Sequence, residues 1–194
     1  MYFYEKYIAR ITLTAQYITN FITGKKTMPK IIQNVKEQII QEAKRQVTEQ
    51  GYQNTTIRSV ASGCGIAVGT VYNYFKSKDV LIASFILQDW LICVDTVRTY
   101  PKESTKDYLS FIYTSLIRFS KKYDPIFSDC EAEKAFSQFF SERHKQIRDQ
   151  LANLILPITS DLFTAEYVAE ALLCWTVAGK SFEDIYELLP EKIK

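Results

Sequence analysis

Apolar residues recur along this chain at helical spacing, interrupted by glycines, prolines and short hydroxyl-bearing caps. From Ile32 to Gln50, the residues Ile32, Val35, Ile39, Ala43 and Val47 form one stripe, which predicts an amphipathic helix ending at Gly51. Thr55 and Thr56 offer capping oxygens to a short helix that turns Ile57, Val60 and Ala61 inward. Gly63-Cys64-Gly65 closes that helix, because glycine accepts the backbone angles of a sharp turn. A second helix of about two turns then opens near Ala67, with Val71 and Phe75 four residues apart on its inner face. Ser77 caps a further helix and Asp79 stands in its first turn, where a carboxylate suits the positive end of the dipole. From Val80 to Val97 that helix is apolar almost all round, which predicts burial on several sides and a link packed against both a head and a body.

Beyond Pro101, Ser104 and Asp107 suit a helix start, and Leu109, Ile112, Leu116, Phe119 and Tyr123 recur at threes and fours up to a break expected at Asp124-Pro125. Phe136, Phe140, His144, Ile147, Leu151, Leu154 and Ile158 then trace one stripe over one or two helices as far as Pro157. A helix from about Ala165 to Ala178 stops at Gly179, and Ser181 with Asp184 restarts a short terminal one. No strand-like alternation is sustained, so the expected fold class is all-α. Its expected domains are a three-helix unit over 30–79, with a helix-turn-helix at 55–74, and a helical body over 80–194.

Composition narrows the function classes. The 194 residues, 47% of them hydrophobic, suffice for a small head and a larger body with a core. Net charge is only +2, so affinity for a polyanion must come from a local patch. Gly51 to Lys78 supplies one, since it holds no acidic residue. Cys64, Cys93, Cys130 and Cys174 form neither CxxC pairs nor histidine clusters, which leaves no disulfide framework and no metal spacing, and fits buried thiols in a reducing cytoplasm. With one histidine, no phosphate loop and no distinct carboxylate pair, the sequence suggests no enzyme and no cofactor. Residues 1–29 form an N-terminal extension too interrupted by polar groups for a membrane span or signal peptide. Either Met28 is the true start, with Gly24-Lys25-Lys26 reflecting purine-rich codons ahead of it, or the extension is a basic aromatic arm that touches DNA or packs on the body.

The ordered run Gly51-Tyr52, Thr55-Thr56-Ile57, Val60-Ala61, Gly65 to Phe75 and Ser77-Lys78-Asp79-Val80-Leu81 resembles the DNA-binding domain of TetR/AcrR-type transcriptional regulators over about residues 33–93. Ala67 stands where many relatives carry Ser, and Cys64 where many carry Ala. The resemblance implies phosphate contacts from Thr56, Thr70, Tyr72, Tyr74 and Lys78. Ala67, Val68, Gly69 and Asn73 are the candidates for base edges, where a methyl group suits thymine and the Asn73 amide suits adenine. Arg58 is within reach of phosphate or guanine, and Lys76 and Lys78 add charge, although core packing for Tyr72 and simple solvation for Lys76 compete with these roles.

The same resemblance implies a double-stranded DNA operator, a small hydrophobic or aromatic effector and repression relieved by that effector. Phe111, Tyr113, Phe119, Phe136, Phe139, Phe140, His144 and Trp175 are the candidate pocket residues, with a satisfied core-edge histidine as the plainer reading of His144. A two-turn recognition helix makes few contacts, so a homodimer on a palindrome is expected. Ala171, Leu172, Cys174, Trp175 and Ala178 are its candidate interface. A constitutive DNA-binding regulator with a solid body, or a protein-interaction module that keeps the fold, are the alternatives.

Overall fold

The computed structural model describes residues 31–159 and 161–193. The expectations for residues 1–29, and for the side chains of Ile32, Phe136, Phe139 and Phe140, lie outside the described residues. Among the described residues the fold is all-α. The helices are α1 (Ile31–Asn54), α2 (Ile57–Gly63), α3 (Val68–Tyr74), α4 (Lys78–Thr99), α5 (Thr105–Phe127), α6 (Cys130–Ile155), α7 (Leu162–Val177) and α8 (Phe182–Glu187). Single 3-10 turns lie at Leu156–Ile158 and Glu191–Ile193.

Two apolar cores organise these helices. In the head, Ile39, Ile40, Ala43 and Val47 of α1 meet Val60 and Ala61 of α2, Val71 of α3, and Leu81, Ile82, Phe85 and Ile86 of α4. The body core gathers Trp90, Val94 and Val97 of the same α4 with Tyr108, Leu109 and Ile112 of α5, Leu151 and Ile155 of α6, and Val168, Ala169 and Leu172 of α7. Each large apolar side chain buried in this way contributes about 1.5–3 kcal/mol. The all-round apolar helix is therefore shared, with one half in each core. Its length and composition suffice to cross a membrane at a mean hydropathy of 1.8, but its apolar residues are spent on these two cores, with Leu91 and Ile92 left exposed.

The caps follow the sequence. Ser77 accepts from the Val80 N–H, and Ser181 and Asp184 form a reciprocal capping box. Gly51 has φ 83°, so the chain kinks there and the regular part of α1 ends as expected. One expectation needs correction. Pro125 does not break α5, which continues to Phe127, where the Ser128 N–H bonds the Asp124 carbonyl at 2.9 Å. So close to a C-terminus, the missing proline N–H costs one hydrogen bond in a turn that ends anyway. Of the one or two helices open for the next stripe, the structure forms one, α6, which carries it as far as Leu154, while Pro157 and Ile158 lie in the 3-10 turn that follows.

Between the cores sits a polar node. Asp89 of α4 accepts from Lys44 of α1 at 2.8 and 2.9 Å, from the Tyr123 hydroxyl of α5 at 2.5 Å, and from Lys122. Burial alone would raise its carboxyl. The hydrogen bonds from Lys122, Lys44 and Tyr123 outweigh burial and pull it down to about 2.

Candidate nucleic-acid interface

The candidate interface is assembled by α2, the turn after it and α3. At the head of α2, the Ser59 N–H bonds the Thr56 hydroxyl oxygen at 3.0 Å, and the Thr56 N–H bonds the Ser59 hydroxyl oxygen at 2.9 Å. The Gln46 amide donates to the Ser59 carbonyl at 3.1 Å and so ties α2 to α1. At its other end, the Gly65 N–H bonds the Ser62 carbonyl and the Ile66 N–H bonds the Ala61 carbonyl, both at 3.0 Å. Gly65 has φ 66°. These paired bonds around a left-handed glycine make a Schellman close, which sets the angle at which α3 departs. Gly63 is needed for a different reason, because a Cβ there would lie 2.1 Å from Glu42 Oε1.

α3 is about 10 Å long and is anchored by Val71, with Phe75 just past its end, both in the head core. Its outer side presents Gly69, Tyr72 and Asn73, with Ala67 before it and Lys76 after it, all exposed. Tyr72 is 53% exposed, so its ring is not committed to the core. Arg58 of α2 is exposed as well. Val68 and Tyr74 are half-buried and pack on the head core, and Thr70 is half-buried. Ala67 occupies the N-cap without a side-chain hydrogen bond. A serine there would have supplied an acceptor, so this departure from the family pattern costs a cap.

Lys78 behaves differently from a solvated phosphate ligand. Its Nζ donates to the Tyr52 carbonyl at 3.0 Å and lies 3.7 Å from the centre of the Tyr52 ring. The Tyr52 hydroxyl donates to Asp79. Lys78 and Asp79 therefore clamp the tyrosine that follows the Gly51 kink, and staple the start of α4 to the end of α1. Sequence reasoning assigned Lys78 by charge and missed this partner, which only folding brings near. Cys64 is half-buried and its thiol points to the Gln38 carbonyl at 3.6 Å. Burial, with the Glu42 charge second, pushes the thiol up.

Residues 39–85 match the family model of bacterial regulatory proteins, tetR family. Over that stretch the chain is similar to the regulatory proteins of the tetR family. The matched span encloses α2, α3, the Tyr52 clamp and the head half of α4. HbdR, an HTH-type transcriptional regulator of Aromatoleum sp. (strain CIB), is 38% identical over 56 residues, 29% of this chain and 24% of the relative. The chain thus aligns with about a quarter of that relative's length. The fold extends further than the sequence likeness. A tetR-family regulatory protein from Rhodococcus RHA1 shares 14% identity with a TM-score of 0.54, over 84% of this chain and 98% of that one. Thermus thermophilus FadR, a TetR-family repressor solved in complex with lauroyl-CoA, shares 18% identity with a TM-score of 0.51, over 82% of this chain and 95% of the other.

The remaining candidate residues are placed as follows. Tyr100 and Phe111 stack with centroids 3.9 Å apart, Trp90 meets Phe119 edge-on at 5.2 Å, and Tyr113 meets Phe182 at 5.7 Å. Phe111, Tyr113 and Phe119 are partly buried and pack against the body core. Trp175 is exposed on α7. His144 is also exposed, and its Nε2 lies 2.9 Å from Glu170 Oε1. A groove of about 460 Å³ lies elsewhere, lined by Ile40, Lys44, Gln88, Asp89, Leu91 and Ile92 among others, none of them a predicted pocket residue. Leu172 needs correction as an interface residue. It is fully buried in its own body core, because it lies on the inner side of α7. Leu162, Phe163, Tyr167, Trp175 and Val177 are the large exposed apolar groups of that helix, alongside Cys174 and the Ala178 that follows it.

Proposed function

We propose that this chain is a transcriptional regulator that binds operator DNA as a homodimer through α3, and that it represses until a small hydrophobic ligand binds the body. The observation that carries the reading is α3 itself. Val71 and Phe75 fix one side of it in the core, while Gly69, Tyr72 and Asn73 stand exposed on the other, within a stretch free of acidic side chains. Exposed Arg58 and Lys76 flank that face and favour phosphate. Thr56, Thr70, Tyr72 and Tyr74 are the proposed phosphate contacts, with Lys78 assigned instead to the Tyr52 clamp, and Ala67, Val68, Gly69 and Asn73 are the proposed base contacts.

Sequencing genomic fragments retained by the purified protein, followed by gel-shift titration across a salt series, tests this reading. Binding should weaken steeply with salt. Tyr72→Ala should weaken it by about 1 kcal/mol or more, with the melting temperature unchanged. Full affinity in that variant would remove α3 as the reading element.

Dimerisation is supported by the exposed Phe163, Tyr167, Trp175 and Val177 on α7, an apolar strip that a second copy would cover. Sedimentation of Trp175→Glu against the parent chain tests it. Likeness of fold to a repressor solved with lauroyl-CoA makes long-chain acyl-CoA esters the first effectors to try. Their release of bound DNA is the readout. The constitutive alternative is favoured by one observation, the ring contacts that Phe111, Tyr113 and Phe119 make against the body core. Under that reading no ligand changes DNA affinity.

A further inference from the structure

His144 on α6 and Glu170 and Cys174 on α7 converge on the outer side of the body. Glu170 and Cys174 are four residues apart and so share one helix face. Glu170 Oε1 lies 2.9 Å from His144 Nε2 and 3.1 Å from Cys174 Sγ, and the three donor atoms all fall within 4.8 Å of one another. The other carboxylate oxygen, Glu170 Oε2, is buried without a hydrogen-bond partner. Such an oxygen is costly to bury unless something pairs with it. Around the cluster, the charges of Glu166 and Glu170 act on Arg148, whose guanidinium is held by Asp149 at 3.0 Å.

We propose that these three side chains bind one divalent ion of the zinc class, with water in the fourth position. One imidazole nitrogen, one thiolate and one carboxylate suit zinc or cobalt, and a thiolate is a poor ligand for magnesium or calcium. In a tetrahedral site with metal–ligand bonds of about 2.0–2.3 Å, donors stand about 3.3–3.6 Å apart. The two spacings to Glu170, 2.9 and 3.1 Å, need to open by a few tenths of an ångström, and the His144–Cys174 spacing, which falls within 4.8 Å, has to settle at the same value. His144 and Cys174 are exposed enough to turn by that amount. The thiol now donates to Glu170, and that hydrogen bond, with burial second, holds its proton on. On binding, the Cys174 S–H bond breaks, one proton leaves to solvent, the sulfur lone pair goes to the metal, and no electron is transferred.

The test uses the full chain, freed of metal with a chelator and kept reduced, and titrated with Co²⁺ while its oligomeric state is followed by sedimentation. One equivalent per chain should produce thiolate-to-cobalt charge-transfer absorption and the intense visible bands of tetrahedral cobalt, and Zn²⁺ should abolish both. Cys174→Ser should remove the charge-transfer band. His144→Ala should weaken binding by about tenfold or more, since even outer partners of metal ligands commonly cost that much. Cys93→Ser, at a half-buried cysteine on α4, should leave the titration unchanged, and far-UV circular dichroism should match across the variants. No charge-transfer band at one equivalent, a band that survives Cys174→Ser, or displacement by Mg²⁺ would each overturn the proposal. DNA binding plays no part in these readouts, so they stand or fall separately from the regulator reading.

Discussion

Asp89→Asn tests how firmly the head is fastened to the body. The Asp89 side chain is 14% exposed and accepts from Lys44, Lys122 and Tyr123, drawn from α1 and α5. Its carboxyl is pulled from an ordinary 3.8 to about 2. At 1.36 kcal/mol per tenfold change in proton affinity, this corresponds to about 2 kcal/mol of stability at neutral pH. Lys44 and Lys122 are 28% and 49% exposed, so solvent screening lowers the expectation to about 1–2 kcal/mol. Because the folded value lies below the unfolded one, the contribution is complete above about pH 4 and is lost as pH falls toward 2. Asparagine keeps an acceptor for Tyr123 but has no charge for the two lysines. Urea unfolding followed by the fluorescence of Trp90, which is buried one residue further along α4, should therefore show a deficit of about 1–2 kcal/mol at pH 7 that shrinks between pH 4 and pH 2.5. A deficit below about 0.5 kcal/mol, or one of constant size across that window, would refute the assignment of a charged latch.

Three further substitutions separate packing from recognition. Gly69→Ala meets no heavy atom within 4 Å, so it should stabilise the head by up to about 1 kcal/mol in thermal melts while weakening DNA binding in a gel shift. Gly63→Ala drives a Cβ into Glu42, which Arg45 and Gln46 hold at 2.7 Å each, and should cost about 1–2 kcal/mol in urea unfolding. In a Glu42→Ala background that cost should disappear. Ser77→Ala removes the acceptor for the Val80 N–H at 3.2 Å and should lower stability by about 1 kcal/mol, measured the same way.

What could be read from the sequence divides by the kind of information it carries. Helix identity, the Gly51 and Gly65 turns and the inward pair Val71 and Phe75 follow from periodicity and backbone freedom, which are local. Pro125 was misread because a proline penalises helix interiors, and pattern alone does not say that the helix ends two residues later. Leu172 was misread for a related reason. Periodicity finds the small residues Ala171, Cys174 and Ala178 on α7, but not which side of an apolar helix meets its own core. Lys78 and the cluster at His144 mark the limit more sharply. Tyr52 is 26 residues from Lys78 and Glu170 is 26 from His144, so neither pairing leaves a spacing signature that a sequence can show.

The arrangement of the seam constrains how any ligand in the body would reach α3. Ile86 is the last α4 residue in the head core and Trp90 the first in the body core, with Asp89 between them. Beside it, Phe119 packs on both cores and lies 5.2 Å from Trp90 and 5.0 Å from Tyr123, which in turn stacks on Phe85 at 6.3 Å. Phe119, placed by sequence in a ligand pocket, is thus a bridge between head and body. A ligand shifts DNA affinity only through a difference in its affinity for two head positions. Moving α5 against α4 must therefore carry Lys122 and Tyr123 with it and disturb their bonds to Asp89, which also holds Lys44 of the head. Packed aromatics resist small continuous slips, so this seam favours two discrete positions over a graded one. Replacing Phe119 by leucine should then alter the coupling between ligand and DNA more than the affinity for either alone, whereas a pocket wall would first lose ligand.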